Sequence, residues 1–116
     1  MIVERIGQGL AVILAIGAGL HGYGSFPAYS RSDPALAWSV GSAFFALFLA
    51  ALCIYAEASG AGKGLSLLIL AGLLAWFVTV LAFGALIGNV ADPRVLYHLV
   101  VTAALMVRFA LRSAAA

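Results

Sequence analysis

The sequence predicts an all-α membrane protein: a single integral domain, residues 1–116, folded as a four-transmembrane-helix up-down bundle built from two helical hairpins. Three observations carry that prediction. Four apolar runs, at 6–23, 35–56, 65–87 and 95–107, fill most of the chain, and none contains Lys, Arg, Asp or Glu. A helix rises about 1.5 Å per residue, so about 20 residues cross a hydrocarbon core of roughly 30 Å. The composition is 66% apolar and 9% charged, where a soluble domain carries about 25% charged residues. A chain this short exposes much of its surface when folded, so in water it would have nowhere to hide that much apolar area. Finally, short Asp-Pro and Gly-rich segments fall between the runs, where turns are needed.

The first helix is expected over approximately 5–23. Gly7, Ala11, Ala15 and Gly19 form a ladder of small residues at four-residue spacing, broadened by Ala18 and Gly22. Such ladders let helix backbones approach closely where lipid supplies no hydrophobic force for association. The loop expected at 24–32 is the longest, and it holds Phe26, Pro27 and Tyr29 between Tyr23 and Trp38. Amphipathic aromatics belong at headgroup depth, so this cluster reads as an interfacial belt. Its functional alternative is an aromatic lid over an outer-face site that would include Tyr23, Asp92, Arg94 and Tyr97.

The second helix, approximately 34–57, opens on Asp33-Pro34, and the fourth, approximately 93–112, on Asp92-Pro93. Asp caps free backbone N–H groups, and Pro fits the first helical position, where its missing N–H costs nothing. On the second helix Ala35, Ser39, Ser42, Ala43, Ala46, Ala50, Cys53 and Glu57 share one face, with Phe44, Phe48, Leu52 and Tyr55 opposite. Gly-rich residues 60–64 end it and let the third helix, approximately 65–88, begin. There Ala71, Ala75, Thr79 and Ala82 line one side, and Gly88-Asn89 ends the helix. These stripes predict a tight bundle with bulky residues turned to lipid and little interior volume. Ser39, Ser42 and Thr79 can bond across helices or to their own carbonyls, for about 0.6 kcal/mol each.

Arg5, Lys63, Arg108 and Arg112 fall at the termini and the second connection, and Arg31 and Arg94 in the first and third. The excess of positive charge predicts a bacterial inner-membrane protein with both termini cytoplasmic. The net charge of +2 forms no basic patch, so nucleic acid is not an expected partner. The expected partners are the lipid bilayer and itself or other membrane subunits. The one cysteine, Cys53, lies inside an apolar run and reads as a small hydrophobe.

Ionisable residues at membrane depth are expensive and therefore functional candidates. Only His21 and His98 qualify, both near the outer end of their helices. First and fourth helices of an up-down bundle are usually neighbours, so the two imidazoles could meet. Facing histidines can ligate haem iron or another metal ion, or hold a quinone carbonyl. The bland alternative is two interfacial histidines bonded to carbonyls, Tyr or water. Glu57 could pair with Arg5, Arg108 or Arg112; an exposed pair of that kind contributes below about 1 kcal/mol. The Trp76 indole N–H needs a partner in the bundle or an adjacent subunit. Ser25, His21 and Asp33 lack the strand–turn–helix setting of a nucleophile elbow, and residues 60–64 lack phosphate-loop spacing.

In length and four-helix layout the chain resembles small multidrug transporters and DoxX-like proteins, in topology only. The transporter resemblance implies an embedded acid in the first helix, and residues 10–20 contain none. Neither resemblance transfers a functional residue. The function expected from the residues is a non-enzymatic packing or accessory subunit of a homo-oligomer or larger membrane complex. The alternatives are a redox, metal- or quinone-binding module using His21 and His98, and a small-solute transporter or channel.

Overall fold

The computed structural model describes residues 1–116 and is all-helical. Four helices follow one another: α1 (Ile2–Ala28), α2 (Pro34–Ser59), α3 (Lys63–Leu86) and α4 (Pro93–Ala115). All four are long and apolar enough to cross a membrane. They lie in a body of 45 × 24 × 22 Å, an arrangement compatible with a helical bundle. The broadest contacts join α1 to α2 and α3 to α4, α1 also packs on α4, and the α2–α3 seam is the thinnest.

The helix boundaries have the local causes anticipated from sequence. Asp33 accepts the Ala35 N–H at 2.9 Å and Asp92 the Arg94 N–H at 2.9 Å, each followed by Pro at the helix start. Gly60 (φ 66°) and Gly88 (φ 71°) take the left-handed conformation that turns the chain out of α2 and α3, where a Cβ would be strained.

Most helix ends differ from expectation by two or three residues, α3 beginning at Lys63 and ending at Leu86, and the largest difference is at the end of α1. α1 does not stop at residue 23 but runs to Ala28, so Gly24, Ser25, Phe26 and Pro27 are helical and the connection shrinks to residues 29–33. Tertiary contact overrides the weak local propensity of this segment. Ser25 is buried, its hydroxyl donating to the His21 carbonyl at 2.8 Å and lying 2.6 Å from the Ser39 hydroxyl of α2. Pro27 comes so late in the helix that its missing N–H frees only one carbonyl near the end.

The core is built from Leu14, Leu49, Ile69, Leu73, Leu105 and Phe109, with Ala11, Ala18, Ala46, Ala50 and Cys53 between them. The α2 stripe packs inward as expected from Ala43 to Glu57, while Phe44, Phe48 and Tyr55 face outward and Leu52, expected beside them, is half-buried against the core. On α1 the inward line is Gly7, Ala11, Leu14, Gly17 and Ala18; Ala15 is half-buried and Gly19 is exposed. A straight helix advances about 3.6 residues per turn, so a strict four-residue ladder drifts off the contact face.

The α3 stripe is reversed. Ala71, Ala75, Thr79 and Ala82 are exposed, and the bulky line Ile69, Leu73, Trp76 and Val80 fills the interior. The small face of α3 is therefore exposed rather than turned into the core. Thr79 donates to the Ala75 carbonyl of its own helix at 2.8 Å rather than across the bundle.

Candidate functional site

Polar chemistry concentrates at the two ends of the bundle. At the end bearing the termini, Glu57 of α2 is fully buried, with Arg108 and Arg112 of α4 15% and 12% exposed. Arg108 donates to Glu57 through Nε at 2.7 Å and Nη2 at 2.8 Å, and Arg112 through Nη1 at 2.9 Å. Arg112 Nη2 also donates to the carbonyls of Ala56 (2.8 Å) and Ala61 (3.0 Å). It thereby satisfies acceptors left over where α2 ends. Gly7 of α1 makes room for the carboxylate, because a Cβ there would collide with Glu57 Oε1. The exposed, weak pair expected from sequence is thus a buried three-residue cluster, and Arg5 is not among its partners. Its geometry ties α2 to α4 across the bundle and closes this end.

The opposite end is open. A cavity of about 860 Å³ is lined by residues of all four helices. The expectation of little interior volume fails at this end, in a bundle whose α2–α3 seam is the thinnest. One histidine and three serines line one side: His21, Ser25, Ser39 and Ser42. His21 Nε2 lies 3.3 Å from both the Ser39 and Ser42 hydroxyls, and Ser42 donates to the Ser39 carbonyl at 2.8 Å. This chain of bonds runs between α1 and α2 and locks His21 in place.

Trp76 of α3 and His98 of α4 line the same cavity, edge to face, with ring centroids 5.5 Å apart. They are 3% and 8% exposed, and neither Trp76 Nε1 nor His98 Nδ1 has a hydrogen-bond partner. A buried donor or acceptor without a partner costs about 1–3 kcal/mol, and Ser66 Oγ, Thr102 Oγ1 and Arg112 Nε elsewhere in the bundle are in the same state. Tyr97 stacks edge-on against His98 at 5.4 Å and donates to the Ile13 carbonyl of α1. Gly17 permits this approach: a Cβ there would collide with the Tyr97 ring and come within 3.0 Å of His98 Cε1.

The remaining residues singled out from sequence divide between the cavity and the surface. His21 and His98 both line the cavity, but each has its own neighbours and no bond joins them. No group of three His, Cys, Asp or Glu side chains comes together anywhere in the chain. A metal or haem iron would therefore meet two imidazoles, one of them already held by serines. Arg94 lines the mouth and forms a two-pronged pair with Asp92, Nε–Oδ1 and Nη2–Oδ2 both 2.9 Å. That pair holds the Asp92 carboxyl down at about 2. Tyr23 is exposed and lies outside the cavity wall.

Sequence reasoning missed Gly17, Val80 and Phe83 as cavity residues, and it treated Trp76 apart from His98. The one available signal was Trp76 itself, an indole in the middle of an apolar helix whose N–H needs a partner. Comparison of the chain with family models, with characterised proteins and with solved structures gives no match.

Proposed function

We propose that this protein is a multi-pass bacterial inner-membrane protein that binds a small molecule in the cavity at its loop end. In this reading the helices cross the bilayer alternately as two hairpins, with the termini and the 60–62 turn in the cytoplasm and the cavity open on the outer side. The distribution of Arg and Lys supports that orientation. The exposed aromatics Tyr23, Phe26 and Trp38 near the cavity mouth fit an outer interfacial belt. One observation carries the binding reading: an 860 Å³ cavity lined by all four helices gathers His21, Ser39, Ser42, Trp76 and His98, most of the polar side chains at this end, into one wall.

Protein purified from its native membrane in lipid nanodiscs, extracted and examined by mass spectrometry and absorption spectroscopy, tests this directly. A small molecule retained near one per chain and lost in His98→Leu is the expected result. Identical extracts from the two proteins would overturn it. A Soret band, or stoichiometric metal, would select the haem or metal form of the site.

A specific observation favours a second reading, an accessory or self-associating subunit. The Ala71, Ala75, Thr79 and Ala82 face of α3 is exposed, and small faces of this kind suit close helix packing. Cys53 is buried, so a cysteine introduced by Ala75→Cys is a clean probe. Its crosslinking in membranes to a second copy or to another subunit would support this reading, and its failure to crosslink would remove it.

A further inference from the structure

Each serine hydroxyl beside His21 brings one proton, and the short contacts fix where those protons go. Ser25 Oγ lies 2.8 Å from the His21 carbonyl, and Ser42 Oγ 2.8 Å from the Ser39 carbonyl. A carbonyl oxygen only accepts, so Ser25 and Ser42 each donate there. Ser39 Oγ lies 2.6 Å from Ser25 Oγ. With the Ser25 proton already committed, the proton in that contact belongs to Ser39. The Ser39 and Ser42 oxygens, each 3.3 Å from His21 Nε2, are then spent as donors and can only accept from it. Nε2 therefore carries the ring hydrogen, shared between the two serines, and in the neutral imidazole Nδ1 holds the lone pair.

That Nδ1 has no partner in the chain, yet it is not enclosed. His21 is half-buried and its Nδ1 keeps open surface, unlike the buried Nδ1 of His98. His21 lies in the middle of the α1 stripe that lines the cavity, between Gly17 and Ser25. Thr79 and Tyr97, also in the wall, spend their hydroxyl protons on the Ala75 and Ile13 carbonyls. The wall thus offers a ligand acceptors more than donors. No carboxylate lines it, and its one formal charge, on Arg94, is paired with Asp92.

We infer that His21 Nδ1 is a fixed hydrogen-bond acceptor, and that the ligand is a neutral, mainly apolar molecule presenting an O–H or N–H donor to it. This rests on the binding reading above and narrows it. A cation would enter a wall with no carboxylate to balance it, and an anion would set its charge against a lone pair. A molecule with acceptors alone would leave Nδ1 unsatisfied. The cavity volume, about 860 Å³, suits a drug-sized molecule. Trp38, Phe83 and Tyr97 supply aromatic surface for its apolar body.

The two histidines give a direct readout. Protein labelled with ¹⁵N-histidine in nanodiscs at about pH 8, above the ordinary histidine value, reports the tautomer, because protonated and bare ring nitrogens resonate far apart. The signals lost in His21→Phe and kept in His98→Leu belong to His21. A proton on Nε2 and none on Nδ1 is expected. 4-Propylphenol and its methyl ether 4-propylanisole share one body, and only the phenol donates. The phenol should move the Nδ1 resonance saturably and bind at least about tenfold more tightly than the ether, equal to about 1.4 kcal/mol for one bond to a desolvated acceptor. Empty nanodiscs correct for the partition of each ligand into lipid. In His21→Phe, with helical circular dichroism verifying the fold, the preference for the phenol should vanish; if that variant does not fold, the tautomer and the ligand pair measured on the parent chain still decide. A proton on Nδ1 in the free protein would refute the fixed acceptor. Equal binding of phenol and ether would refute the donor requirement while the binding cavity survives. If neither ligand binds, the ligand class is refuted, and the extraction experiment decides separately whether the cavity holds anything.

Discussion

Glu57 offers the sharpest test of how this bundle is closed. In Glu57→Leu, Arg108 and Arg112 lose three charge-assisted hydrogen bonds and are left as neighbouring cations at 15% and 12% exposure. Removing one side of a buried ion cluster typically costs about 3–5 kcal/mol. Here the value should fall near the lower end, about 3 kcal/mol, because long arginine stems can carry their heads toward the interface. Arg112 also keeps its bonds to the Ala56 and Ala61 carbonyls. The double variant Glu57→Leu/Arg108→Leu should be more stable than Glu57→Leu alone, since it removes a stranded cation from an apolar setting. The assay is reversible unfolding in mixed micelles with increasing SDS fraction, followed by helical circular dichroism. A Glu57→Leu variant within about 0.5 kcal/mol of the parent, or a double variant no better than the single one, would refute the buried-cluster account.

Three further outcomes follow from the same geometry. Gly7→Ala should destabilise by about 1–3 kcal/mol through its collision with the Glu57 carboxylate, and most of that cost should vanish in a Glu57→Ala background, read as a double-mutant cycle. Leu73→Ala, in the core, should cost about 2–5 kcal/mol, whereas Leu68→Ala on the exposed side of the same helix should change stability by less than about 1 kcal/mol. Asp92 is held below its ordinary value of 3.8, at about 2, by the Arg94 side chain and the backbone N–H groups it caps. A depressed carboxyl contributes its stabilisation in full above the ordinary value and loses it as pH falls through the lower one. The α4 cap should therefore persist to about pH 4 and fail towards pH 2, and Asp92→Asn should erase that acid-limb change. Carboxyl NMR titration of Asp92 gives the midpoint.

Much of the fold was legible because its signals are local. Both Asp-Pro starts and both glycine stops depend on a residue's own backbone and nearest neighbours, and all four fall where the sequence puts them. The α2 stripe was also readable, since its small residues continue without interruption into Cys53 and Glu57. The α3 stripe misled because its alanines and its large residues each form a regular face, and periodicity alone cannot say which face turns inward. The end of α1 misled for a related reason: residues 24–32 read as a loop, but Ser25 is held by Ser39 of another helix. Of the site, the two histidines and Arg94 were visible as rare polar residues in apolar surroundings. Gly17 and Val80 gave no such sign, since their role depends on what sits opposite them.

By itself, then, the amino-acid order determined four helices, their approximate ends and an environment of lipid. Those follow from hydropathy, chain length and capping, which act within one segment. Tertiary structure alone decided that Glu57 is buried between two arginines, that α3 turns its alanines outward, and that Trp76 meets His98 in a shared cavity. Each of these depends on the rotation of one helix against another. A helix with apolar residues on every side has little intrinsic preference for which face turns inward, so only packing against its neighbours settles the choice.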